Sequence, residues 1–264
     1  EEFTVGISAP TSTRHIVLNT THEILKDADV RKALQHATNR QVISEGIFYG
    51  LEPAAETLYA PTVPYCDVKL EPYTYSAEEA GRLLDEAGWV MGRGNIREKD
   101  GRRLELDLLY NSDSVTEKTI SEYLQSEYLK LGISLNIHGE EEQSYRDNMK
   151  AGNFDMVFNI CWGMPYDPQS SLAAMRAPVY GDYAAQQGLE DKAEIDEAIT
   201  RILTSTDEAE RQEPYEFVLT RLHEDAVYLP LTYETNKALY TSGLHGVHFG
   251  TDQYDVDFAS MYFE

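Results

Sequence analysis

Three strand-like runs separated by helical patterns constrain this chain more than any other feature. "RLELDLLY" (residues 103–110) alternates through Leu104, Leu106 and Leu108, the pattern of a half-buried strand. "ISLNI" (133–137) alternates again, and "FDMVFNICW" (154–162) is a continuous apolar run of the buried kind. Between the first two, Ser114-x-x-Glu117 opens a capped helix with Ile120, Leu124 and Leu131 facing inward and Gly132 as its stop. Between the second and third, "SYRDNMKAG" has the length of a short helix. Strands alternating with helices specify an α/β sheet with helices on its faces.

The flanks extend this reading. "RHIVLNT" (14–20) is a strand, and "DADVRKALQHATNR" is a helix with Val30, Ala33, Leu34 and Ala37 on its apolar face, capped by Asp27 or Asp29. "QVISEGIFYG" continues as a second short helix that stops near Gly50. Residues 51–74 hold four prolines and no sustained period, which predicts an ordered, irregular segment. In "SAEEAGRLLDEAGW", Ser76-x-x-Glu79 is a capping box, Ala80, Leu83, Leu84 and Ala87 form the buried face, and Gly88 ends the helix. Further on, "KAEIDEAITRILTS" and "DEAERQEPYEFVLTRLHEDA" are helical, the second kinked at Pro214. "VYLPLTY" and "KALYT" are two strands, and residues 242–264 are turn-rich and aromatic.

Composition excludes several classes of function. The formal charge of −24 argues against nucleic acid, whose binding depends on Lys and Arg neutralising phosphates, and against an anionic membrane surface. It reads as a solvated acidic surface. With 42% hydrophobic residues the chain can build a substantial core. Cys66 and Cys161, nearly a hundred residues apart, are neither a C-x-x-C motif nor a disulfide framework. No apolar run approaches the ~20 residues of a membrane-spanning helix.

The search for catalytic chemistry is mostly negative. There is no nucleophile elbow, phosphate loop or H-E-x-x-H motif. "GRGN" (92–95) is a turn, and His245-x-x-His248 lacks an obvious third metal ligand. Glu140-Glu141-Glu142 reads as a solvated helix start, and Cys161 as a small buried hydrophobe rather than a thiolate. The chain is not expected to be an enzyme. One stretch does not read as scaffold: "NICWGMPYDPQSSLAAMRAP" (159–178) places Trp162 at the lip of a strand and Tyr166 in a proline-stiffened loop. Binding groups collect at the carboxyl ends of strands, and stiff loops lower the ordering cost of binding. Pattern alone leaves both aromatics divided between lining a ligand rim and packing on the following helix.

Several of these segments, taken in order and spacing, carry a resemblance. "DADVRKALQHATNRQVISEGIFYG", "YSAEEAGRLLDEAGW" and "LGISLNI" resemble the peptide/nickel class (family 5) of solute-binding proteins of ABC importers. "AETLYAPTVPY", "IREKDGRRLELDL", "GEEEQSYRDNMKAGNFDMVFNICWGMPYDP", "AQQGL" and "RLHEDAVYLPLTY" are similar to its nickel-binding branch. The resemblance implies the C-terminal lobe of a periplasmic-binding-protein type II fold, an α/β lobe with a mixed sheet flanked by helices. Residues 1–20 would be a hinge or crossover strand segment, 21–232 the ligand-binding lobe, and 233–264 a return toward an absent first lobe. It implies extracytoplasmic capture, periplasmic or lipid-anchored, of a nickel chelate or similar metal complex, with a short peptide as the alternative. An ABC importer permease is the implied partner, the protein a monomer, and no cofactor is required.

The resemblance also assigns Trp162 and Tyr166 as walls of the chelate pocket. Downstream of Met175-Arg176-Ala177-Pro178, the family's metal-coordinating histidine falls at Tyr180. A phenol, titrating near ~10 in model peptides, is a poor nickel ligand at neutral pH. A fully chelated metal held by stacking and polar contacts needs no protein ligand.

Overall fold

The computed structural model describes residues 2–161, 168–250 and 256–264. Strand β1 (Phe3–Leu18) precedes helices α1 (Ala28–Ala37), α2 (Arg40–Gly46) and α3 (Ala77–Glu86). A small meander of β2 (Val90–Met91), β3 (Arg97–Lys99) and β4 (Arg102–Arg103) leads into β5 (Glu105–Asn111). Next come α4 (Val115–Lys130), β6 (Ser134–Glu140), α5 (Glu142–Ala151) and β7 (Met156–Cys161). The short helices α6 (Gln169–Ala174) and α7 (Gly181–Ala185) follow. The chain ends with α8 (Lys192–Thr204), α9 (Glu208–Glu224), β8 (Tyr228–Thr241) and the pair β9 (Leu244–His245) and β10 (Tyr262–Phe263).

The main sheet has the order β6-β5-β7-β1-β8. β5 runs parallel to β6 and β7, whereas β1 is antiparallel to both β7 and β8, so the sheet is mixed. Strand alternation divides the interior into two cores. Ile16, Leu18, Leu106, Leu108 and Phe158 face α1, α3 and α4, while Val17, Leu109 and Val157 face α8 and α9. Each fully buried leucine contributes about 1.5–3 kcal/mol, so both faces are firmly held. β5, expected to be buried on one face, is therefore covered on both. Leu109 joins the second core because β7 and β6 flank the strand and helices lie above and below it.

Both serine caps form, but neither capping box closes. The Ser76 hydroxyl accepts the Glu79 N–H at 3.1 Å, yet the Ser76 N–H donates to the His36 carbonyl and the Glu79 carboxylate turns to Arg82. Likewise, Ser114 caps α4, and the Glu117 carboxylate accepts the Asn111 N–H at 2.9 Å. Gly88 and Gly132 close α3 and α4 with φ of +86° and +82°.

Two strands are longer than the pattern suggests. β1 begins at Phe3 rather than Arg14, and "VYLPLTY" and "KALYT" are one continuous strand. The cause is mutual. Residues 3–7 pair with 237–241, and the pairing continues through irregularities around Pro10 that absorb its missing N–H. The second short helix stops at Gly46, and turns carry the chain to Gly50. α9 runs through Pro214 as a single element.

Buried polar groups tie the helical layer to β8. The Arg40 guanidinium donates to the Pro230 carbonyl at 2.7 Å and to the Tyr73 carbonyl, and burial lowers its pKa to about 10. Gln35 donates to the Tyr228 carbonyl at 2.6 Å.

Candidate functional site

The parallel strands β5, β6 and β7 end together at Asn111, Glu140 and Cys161. That edge is where an α/β sheet presents its loops to a ligand. β7 leads directly into residues 162–167, so Trp162 and Tyr166, the two expected wall residues, lie outside the described residues.

The end of β7 is fixed. The Cys161 sulfur accepts the Thr13 N–H at 3.1 Å, and its thiol donates to the Leu58 carbonyl at 3.4 Å. Burial pushes the thiol up to about 12, so it is an un-ionised packing group and not a nucleophile. Cys66 is also buried, and no disulfide joins the two.

Tyr180, the third expected site residue, is the N-cap of α7, with extended backbone (φ −115°, ψ 148°) and 38% of the residue exposed. α7 packs against α5 and β1. Its first turn is fastened opposite Asn159 of β7, and its last residue, Ala185, accepts the Thr20 N–H at 2.9 Å beyond the end of β1. Tyr180 consequently sits at the end of α7 nearer the β7 terminus. The fastening is a buried carboxylate. Asp182 is 7% exposed and accepts a hydrogen bond from the Asn159 amide at 2.8 Å. The Tyr228 hydroxyl, which accepts from the Gln186 amide at 2.7 Å, is the electrostatic neighbour of Asp182. Burial raises the Asp182 pKa, against the lowering effect of these groups.

His15 completes this layer. It stands beside Asn159 in the β1–β7 register, and its ring meets that of Tyr228 edge-on at 5.2 Å. Burial depresses its pKa to about 4, so the imidazole is neutral at physiological pH. Sequence reading singled out neither Asp182 nor His15. The available cue was a polar residue at a strand position otherwise reserved for apolar ones, as with His15 in "RHIVL" and Asn159 in "FNIC".

On the other face of the sheet near the same edge, the charges are matched. Arg14 pairs with Glu234 and lies 3.9 Å from Glu52, while Lys237 reaches Glu52 at 2.8 Å. Glu117 is half-enclosed beside the end of β5, and burial raises its pKa. The Glu140-Glu141-Glu142 run begins α5 with Glu141 as N-cap, and Glu142 binds the Asn111 amide and Arg146. His245 stacks on Tyr262 and approaches Glu264 at 3.8 Å. Among the described residues, no group of three or more His, Cys, Asp or Glu is arranged to hold a metal ion.

The result is a mixed α/β unit that presents loops at the carboxyl edge of its parallel strands, with a buried polar layer bracing one of them. The family description "bacterial extracellular solute-binding proteins, family 5 (middle)" matches residues 2–182, and the chain belongs to that family. It is 40% identical over 228 residues to the nickel-binding periplasmic protein of Escherichia coli (strain K12), covering 86% of this chain and 44% of that protein. The crystal structure of NikA from Brucella suis in complex with Fe(III)-EDTA superposes with a TM-score of 0.95 at 42% identity. That match covers 99% of this chain and 53% of that one. The oligopeptide-binding protein AppA from Bacillus subtilis, in complex with a nonapeptide, shares the fold at 21% identity and a TM-score of 0.81, over 100% of this chain and 53% of that one. This chain thus spans about half the length of the relatives it matches. No helix among the described residues is long and apolar enough to cross a membrane.

Proposed function

We propose that this chain is the C-terminal lobe of the solute-binding component of an ABC importer and closes with a first lobe on a metal chelate. In this reading residues 21–232 form the ligand-binding lobe, residues 1–20 the hinge segment, and residues 233–264 the return. Trp162 and Tyr166 supply an aromatic wall and Tyr180 a polar contact at the rim. The protein captures its ligand outside the cytoplasm, periplasmic or lipid-anchored, delivers it as a monomer to a permease, and catalyses no reaction. The observation that carries the reading is the 42% identity, over nearly the whole chain, to a protein whose structure holds Fe(III)-EDTA. The donor chemistry agrees, because a phenol at Tyr180 contacts a complexed metal more readily than it coordinates a bare one.

The test is native mass spectrometry of the full-length protein purified from its own host, followed by calorimetry with Fe(III)-EDTA, Ni(L-His), nickel chloride and short peptides. A retained metal complex, with chelates binding far more tightly than nickel chloride, is the expected result. Retention of peptides, with no chelate affinity, would replace this reading with oligopeptide capture. The oligopeptide-binding relative from Bacillus subtilis makes that the second reading.

A further inference from the structure

Asp182 is a carboxylate in the interior with partners on two strands. Removing a carboxylate from water is costly unless hydrogen bonds replace its hydration, and apolar groups of similar volume often serve stability as well or better. A carboxylate here acts through the hydrogen bond it makes rather than through packing. The Asn159 amide, two residues before the end of β7, donates to it at 2.8 Å, and the Tyr228 hydroxyl of β8 is its electrostatic neighbour. Tyr228 is fixed in turn by Gln186, one residue past α7. The first turn of α7 is therefore tied at a defined rotation about its own axis, and Tyr180 is two residues away on the same element. An extended N-cap followed by a pinned first turn leaves the Tyr180 Cα–Cβ direction little freedom.

We infer that Asp182 is a positioning residue for ligand binding: through Asn159 and Tyr228 it sets where Tyr180 stands at the carboxyl edge of β7. This inference rests on the proposed function above, since it presumes a ligand at that edge. It assigns Asp182 no contact with the ligand. The geometry makes a specific demand. If Asp182 acts through Tyr180, its removal matters only while the Tyr180 ring is present.

The experiment uses the full-length protein with Fe(III)-EDTA as probe. Asp182→Ala, Asn159→Ala, Tyr180→Ala and the double variant Asp182→Ala/Tyr180→Ala are compared by calorimetry for Kd and by calorimetric scanning for Tm. Asp182→Asn is the milder variant should Asp182→Ala fail to fold. Tyr128→Phe, which removes the buried hydrogen bond to Thr38 at a distant place, is the stability control. Asp182→Ala is expected to raise Kd about tenfold, on the scale of one displaced hydrogen-bonded contact. In the Tyr180→Ala background it should raise Kd no further, while the losses in Tm still accumulate. Tyr128→Phe should lower Tm and leave Kd unchanged. An unchanged Kd in Asp182→Ala, or Kd effects that multiply independently of Tyr180, overturns the inference.

A ligand-independent readout separates this failure from failure of the functional reading. 3-Fluorotyrosine placed at position 180 should give one narrow fluorine resonance in the parent protein and a broadened or divided one in Asp182→Ala. If the parent protein does not bind the probe, the functional reading falls and the resonance alone decides the positioning. An identical resonance in both proteins refutes it.

Discussion

Gly188→Ala tests the close packing that seats the α7 region on the end of β1. A Cβ built on Gly188 would lie 2.3 Å from the Thr20 carbonyl oxygen and 2.8 Å from its hydroxyl. Moving that oxygen past the 3.0 Å that real Cβ atoms respect requires the two backbones to part by about 0.7 Å. The Thr20 hydroxyl cannot yield freely, because it accepts the Gly188 N–H at 3.0 Å and donates to the Ala185 carbonyl at 2.5 Å. Overpacking against backbone costs about 1–3 kcal/mol. Loss of one or two buried hydrogen bonds adds about 1 kcal/mol each. The variant should therefore be destabilised by about 3 kcal/mol in urea unfolding followed by circular dichroism. Gly46→Ala is the comparator, at the last residue of α2 with open space around the new methyl, and should be neutral or stabilising by up to about 1 kcal/mol. A Gly188→Ala protein within 0.5 kcal/mol of the parent, roughly the scatter of surface substitutions, would refute the reasoning.

Other outcomes follow from buried groups. His15 resists protonation until about pH 4 when folded but takes up a proton near 6.5 when unfolded, so its contribution is complete above pH 6.5 and is lost as pH falls toward 4. At about 1.4 kcal/mol per pH unit the loss approaches about 3 kcal/mol. Asp182 and Glu117, raised by burial, act in the opposite sense, so the quantity to measure is the difference in acid slope between the parent and His15→Phe. Equal slopes would remove His15 from the account. Arg40→Leu strands the carbonyls of Pro230 and Tyr73 and should cost about 2–4 kcal/mol in the same urea assay. Cys161, buried with its thiol pushed up to about 12, should remain unmodified by iodoacetamide at pH 8 in the folded protein and react in urea, as read by mass spectrometry. Rapid native labelling at this residue would contradict its placement.

Much of the fold was legible because its determinants are local. The Ser76 and Ser114 caps, the glycine stops at Gly88 and Gly132 and the alternation of Leu104, Leu106 and Leu108 each act within a few residues. What stayed hidden depends on partners far along the chain. Residues 3–12 show no strand pattern of their own and are assigned to a hinge segment only through the resemblance, because their strand partners are 234–241, more than two hundred residues away. The stretch "ETN" reads as a break between two strands, yet pairing with β1 carries β8 straight through it. The candidate site divides in the same way. Trp162 and Tyr166 stand out by pattern and are assigned to a pocket wall only through the resemblance, which alone points to Tyr180. Asp182, by contrast, is unremarkable in "YGDYAA" and becomes distinctive only when buried against Asn159.

The pairing of β1 with β8 has a mechanical consequence. The outermost residues of the ribbon, Phe3 and Thr241, are directly opposed, so tension applied to both ends of the chain pulls on one end of an antiparallel ladder. Such loading opens hydrogen bonds one pair at a time, as a zipper does, and never stresses them together. The irregular pairs around Pro10 would open early, and those at Ile16–Leu229 and Val17–Tyr228, backed by both cores, would open last. The β1–β8 ribbon is thus soft to tension that separates its paired ends and stiff to shear along its strands, so its compliance is directional.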